Sequence, residues 1–199
     1  MNPTKMSLPG WDSSYQSEQI EELISAYQSL GEEGLWKNLE YFIKEIVPVA
    51  IECDVYLGIH PDDPPWSVFG IPRIITNEEN LDRFLSLYQD KHHGISLCSG
   101  SLGCTSCNNI PKLVRKYAGA GRIPFAHIRN VKILKDGSFE ESAHDSSYGS
   151  LDIVEILKAY HDSGFDGYIR PDHGRMIWGE TGKPDLYIHR CSCKTRLIH

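Results

Sequence analysis

Four short apolar runs punctuate this chain, at residues 54–59, 94–97, 123–128 and 165–169, and each leads to a side chain able to bind a metal. Those side chains are His60, Cys98, His127 and Asp172, separated by 38, 29 and 45 residues, close to one strand–helix unit each. Helical patterns lie between the runs. Leu81, Phe84, Leu85 and Tyr88 share a face within 78–88, a second pattern covers about 110–118, and Leu151, Ile153, Ile156, Leu157 and Tyr160 follow Ser150, the expected N-cap. Alternation of this kind predicts a parallel sheet, because a crossover helix is what joins parallel neighbours, and the fold class is α/β. In a closed parallel barrel all strand C-termini meet at one rim, so four strand-end ligands converge without proximity in sequence.

Two helices are expected upstream. Ile20, Leu23, Ile24, Tyr27 and Leu30 fall on one face and Gly31 ends the run; a second helix over 32–53 has Leu35, Leu39, Phe42, Ile43, Ile46 and Val49 as its buried stripe, with a kink at Pro48. Residues 1–15, the three-proline stretch 60–66, the Gly-rich turn 99–103 and the polar segment 135–150 read as loops. The turn after the fourth run carries Arg170, Asp172, His173 and Arg175, with Gly174 and Gly179 to let the backbone bend, and is too polar for a core.

At 199 residues and 40% apolar content the chain suits one domain with a genuine core. A net charge of −7 argues against nucleic acid or an anionic membrane as partner and fits a small polar substrate. Residues 1–15 hold no apolar core of signal-peptide length and no apolar run approaches membrane-spanning length, so the expected location is cytoplasmic. The six cysteines then read as reduced thiols or metal ligands. Cys104 and Cys107 have the spacing of a zinc half-site, with Cys191 and Cys193 as an imaginable second half, but neither pair brings the His or second C-x-x-C that such a site needs.

Two imidazoles, a thiolate and a carboxylate form a mixed hard and soft donor set. It suits Mn²⁺, Fe²⁺ or Zn²⁺ better than Ca²⁺ or Mg²⁺, which prefer oxygen. Open positions on such an ion would accept a hydroxy acid through its carboxylate and a hydroxyl.

The motifs Gly58-Ile59-His60-Pro61-Asp62-Asp63-Pro64-Pro65-Trp66, Phe69-Gly70-Ile71-Pro72-Arg73, Cys98-Ser99-Gly100-Ser101-Leu102-Gly103, His127-Ile128-Arg129-Asn130-Val131 and Arg170-Pro171-Asp172-His173-Gly174-Arg175 resemble, in order and spacing, the D-mannonate dehydratase family. The resemblance runs from about Trp11 to Pro184. It implies a (β/α)₈ TIM-barrel hydro-lyase that converts D-mannonate to 2-dehydro-3-deoxy-D-gluconate in hexuronate breakdown. It also implies Mn²⁺ or Fe²⁺ as cofactor, His60, Cys98, His127 and Asp172 as metal ligands, and His173 as the acid/base group. Arg129 and Arg175 are candidates for the substrate carboxylate, or equally for salt bridges along the rim.

Relative to that family, residues 1–184 are expected to form part of the barrel, about four βα units preceded by helices, and residues 185–199 an irregular tail. Open strand edges would favour a homo-oligomer or pairing with a missing barrel half. Two alternatives accompany the dehydratase: a metal-dependent sugar isomerase or epimerase on the same barrel, whose ligand sets rely on carboxylates and lack the thiolate, and a non-catalytic fragment.

Overall fold

Alternation within the short strands decides which side of the sheet is dry. In the computed structural model, which describes residues 17–172, β1 (Leu57–Ile59), β2 (His93–Cys98), β3 (Phe125–Ile128) and β6 (Tyr168–Pro171) form one parallel sheet in the order β1-β2-β3-β6. Ile95 and Leu97 of β2 and Ala126 and Ile128 of β3 are buried on one face, in a cluster with Leu81 and Phe84 of α2 (Glu78–Ser86), Leu113, Val114 and Tyr117 of α4 (Ile110–Gly119), and Ile156 and Tyr160 of α5 (Ile153–Asp162). Burying each such side chain contributes about 1.5–3 kcal/mol. The opposite face carries Gly58, Ser96, Cys98, Phe125, His127, Tyr168 and Arg170, because successive residues of a strand alternate sides and in-register parallel partners share one.

Capping side chains set the helix starts. Asn77 accepts the Asn80 N–H ahead of α2, Asn109 the Lys112 N–H ahead of α4, and Asp152 the Glu155 N–H ahead of α5. The cap expected at Ser150 therefore falls on Asp152; the Ser150 hydroxyl instead accepts the Ile133 N–H at 2.9 Å. The turn expected over 99–103 is a short helix, α3 (Ser99–Gly103), directly after β2. A hairpin of β4 (Asn130–Ile133) and β5 (Phe139–Ser142) occupies a stretch read largely as loop, closed by Asp136-Gly137 with Gly137 at φ 84°.

Upstream, α1 (Ser17–Glu52) joins two helices at Gly31, whose φ of 66° and ψ of 178° interrupt the helical run where the sequence predicts a stop. Pro48 lies within the run, and Gly31 is its point of non-helical φ/ψ. The buried face is Trp36, Ile43, Val47 and Ala50, partly rotated from the expected stripe: Ile43 is buried and Leu39 and Ile46 pack against the core, whereas Phe42 and Val49 are 56% and 50% exposed. Leu23, Tyr27 and Leu30 are also exposed. Trp36 sets the helix's rotation, its ring under the Arg83 guanidinium at 4.3 Å while Arg83 forks onto both Glu33 oxygens at 3.0 Å.

At the N-terminal end of the sheet His92 is buried between two carboxylates, with Nδ1 2.6 Å from Asp90 and Nε2 3.0 Å from Asp54. Only the imidazolium can donate from both nitrogens. The Asp54 hydrogen bond first, then that of Asp90, raises the His92 pKa above its ordinary 6.5. A raised folded-state value means that the contribution is complete below about pH 6.5 and is lost as pH rises through the folded pKa. Urea midpoints measured against pH should fall across that window in the native chain and stay flatter in His92→Gln. Leu97→Ala, on the helix-covered face, should cost about 2–5 kcal/mol by the same denaturation.

Candidate metal centre

Four strands deliver four donors to one end of the sheet. Cys98 closes β2 and pairs in register with His127 of β3, while His60 and Asp172 sit one residue beyond β1 and β6. One ligand-capable atom from each of His60, Cys98, His127 and Asp172 lies within 4.8 Å of the others. Donors around an ion with 2.0–2.3 Å bonds stand roughly 3.3–3.8 Å apart, so the set is already close to that spacing. His60 is exposed, Cys98 is buried, and His127 and Asp172 are between the two, which leaves one side of the group open to a ligand from solvent.

Hydrogen bonds orient these donors. His60 Nδ1 lies 2.7 Å from the Pro61 carbonyl, which can only accept; Nδ1 therefore carries the proton and Nε2 presents its lone pair. Cys98 Sγ accepts the Ser101 N–H at 3.4 Å and faces Asp172 Oδ2 at 3.7 Å. Asp172 Oδ1 is 3.5 Å from His127 Nδ1, a buried nitrogen without a hydrogen bond among the described residues. A buried ring nitrogen with no hydrogen bond beyond its ion-pair contact with Asp172, grouped with a thiol and a second imidazole, is a donor set that could hold a cation.

The surrounding charge is ordered too. Arg129, its side chain 7% exposed, bonds Asp63 Oδ2 at 2.5 Å and stands 3.6 Å from Asp172 Oδ2. Cys104 is buried but turned away, its thiol donating to the Ser101 carbonyl at 3.1 Å, and burial pushes its pKa up to about 12. Cys107 is exposed, and neither cysteine joins the metal-capable group. The other half of the imagined zinc pair, Cys191 and Cys193, lies outside the described residues.

Comparison with known proteins supplies the family. The D-mannonate dehydratase (UxuA) family profile matches residues 1–193. The chain belongs to the D-mannonate dehydratase family. It is 55% identical over 185 residues to mannonate dehydratase 2 of Halalkalibacterium halodurans, covering 93% of this chain and 54% of that protein. A mannonate dehydratase of Thermotoga neapolitana is 52% identical over 182 residues, covering 92% and 50%. The crystal structure of mannonate dehydratase from Streptococcus suis serotype 2 superposes with a TM-score of 0.80 at 40% identity, covering 88% of this chain and 51% of that one. The chain thus spans about half the length of the relatives it matches. Among the described residues no helix is long and apolar enough to cross a membrane.

The expected ligand quartet is gathered in one place, and Arg129 is beside it in contact with a carboxylate. His173 and Arg175 lie outside the described residues. Two neighbours have no signal in the sequence: Asp63 and Ser101 sit within the family motifs, but nothing in their spacing links them to Arg129. Arg170, expected in the polar turn, lies within β6 instead, in register with His127 on the donor face, and its Nε is buried without a hydrogen bond among the described residues. Metal analysis of the purified chain should show stoichiometric divalent metal in the native protein and its loss in His60→Ala and Asp172→Ala. In the folded chain iodoacetamide should modify Cys53 and Cys107 and leave Cys104 intact until denaturant is added.

Proposed function

We propose that this chain carries the metal-binding part of a (β/α)₈ D-mannonate dehydratase barrel, a hydro-lyase of EC class 4.2.1.8 acting in hexuronate breakdown. The reaction removes the C2 proton and the C3 hydroxyl of D-mannonate as water, and the resulting enol becomes 2-dehydro-3-deoxy-D-gluconate. The observation that carries this reading is the convergence of His60, Cys98, His127 and Asp172 in a chain of this family.

These four side chains would hold Mn²⁺ or Fe²⁺, the borderline cations suited to imidazole, thiolate and carboxylate together. A divalent cation bound there supplies positive charge against the electron density that builds on the substrate carboxylate as the C2 proton leaves. His173, next to the ligand Asp172, moves a proton, either from C2 or onto the departing C3 hydroxyl; an imidazole does both near neutral pH. Arg170, in register with His127, and Arg175, three residues after Asp172 in sequence, are assigned to the sugar-acid carboxylate, which a planar guanidinium meets through two hydrogen bonds. Asp172, Cys98 and His127 are held by their strand ends, so the rim is in place before substrate arrives.

Both sheet edges, β1 and β6, are unpaired among the described residues, with Phe42 exposed beside β1 and Tyr168 and Ile169 exposed on β6. That supports completion of the barrel by further strands, from a second copy or from the remainder of a full-length barrel.

Purified chain supplied with Mn²⁺ and D-mannonate should form the 2-keto product, read by a colorimetric assay for 2-keto-3-deoxy acids. His173→Ala should lower kcat about 10²–10⁴-fold, and Arg170→Gln should raise KM more than it lowers kcat. A folded, metal-loaded chain that forms no product, alone or with a complementing barrel half, would defeat the assignment.

A further inference from the structure

Arg129 invites assignment as the clamp on the substrate carboxylate, yet its surroundings describe another task. Its backbone is fastened twice to Ser99, whose hydroxyl donates to the Arg129 carbonyl at 2.7 Å and accepts its N–H at 2.8 Å. Its side chain lies across Gly100, where an added Cβ would come within 2.6 Å of Cγ and Nε. Nη1 is engaged by Asp63 and faces Asp172. Asp63 is itself held by the Ser101 hydroxyl at 3.1 Å, and its neighbour Asp62 accepts the Ile74 and Ile75 N–H groups at 2.9 and 2.8 Å. The loop that presents Asp63 is thus anchored at its base.

We infer that Asp63 and Arg129 are a positioning pair that orients the ligands Asp172 and Cys98, and that Arg129 does not clamp the substrate. The inference rests on the metal reading of the quartet. Its geometric basis is that one short helix serves both groups: Ser101 gives its N–H to Cys98 and its hydroxyl to Asp63, while Ser99 fixes Arg129. Arg129 in turn stands 3.6 Å from the same Asp172 oxygen that faces the Cys98 sulfur. Charge gives the second reason. With a metal bound, a Cys98 thiolate, Asp172 and Asp63 would present three negative charges, which a divalent ion and Arg129 balance; on the side where Cys98 and Arg129 are buried an unbalanced charge is costly. Asp63 takes Nη1, and Nε, which has no hydrogen bond among the described residues, is buried in a side chain that is 7% exposed, so Arg129 is poorly placed to receive an incoming carboxylate.

The test is Mn²⁺ affinity, with Co²⁺ substitution to report the thiolate-to-metal absorption band, in the native chain, Arg129→Lys and Gly100→Ala. Gly100→Ala keeps every charge and only displaces Arg129, so it decides the question if Arg129→Lys fails to fold by circular dichroism. Both variants should bind Mn²⁺ about 10–100-fold more weakly, as expected for loss of a partner that orients metal ligands. The Co²⁺ band should shift in both, and KM for D-mannonate at saturating metal should stay near the native value. Folded variants with native metal affinity and an unshifted band would overturn the inference, as would a KM raised about tenfold with metal binding intact. His60→Ala is the control: if it also keeps native affinity, the metal site itself is wrong, whereas loss there alone removes only the role given to Asp63 and Arg129.

Discussion

Everything at the candidate centre depends on the register of three parallel strands. Cys98 lies opposite His127, and His127 opposite Arg170, so one row of residues crosses β2, β3 and β6 on the face away from the helices. A slip of one residue would turn that row into the core and bring Ile95, Leu97, Ala126 and Ile128 out of it. Those four side chains are 5% exposed or less. The penalty for exposing them is what holds the donors in line, so the chemistry of one face is fixed by the hydrophobic packing of the other.

Loops then finish what the strands begin. His60 and Asp172 each follow a strand by a single residue, and each is oriented locally, His60 through the Pro61 carbonyl and Asp172 through its N–H to the Ile128 carbonyl at 3.3 Å. Adjacent aspartates divide their work: Asp62 ties down backbone N–H groups of 74 and 75, while Asp63 turns inward to Arg129. Two carboxylates one bond apart in sequence thus serve the loop's stability and the site's charge balance separately.

Much of the fold was legible because period is a local property. The four strands and the helices between them follow from apolar spacing, and Gly31 stops a helix where its backbone needs a positive φ. The β4–β5 hairpin has a local signal in Asp136-Gly137 between Val131, Ile133 and Phe139, but the polar residues 140–145 that follow carry the pattern of a solvated loop. Phe42 and Val49 were placed inside because helical spacing identifies a stripe but not which of its edges meets a neighbour. Trp36, under Arg83, settled that rotation.

The sequence by itself determined the α/β alternation, the family motifs and the choice of the four candidate donors, since each is written in contiguous residues or in repeated spacing. Only the tertiary structure decided that those donors come within 4.8 Å of one another, that Arg129 is already engaged by Asp63, and that Arg170 shares their row. These facts depend on residues 29 to 112 positions apart in the chain being brought side by side by strand pairing and helix packing. Pairwise distances of that kind leave no local pattern to read.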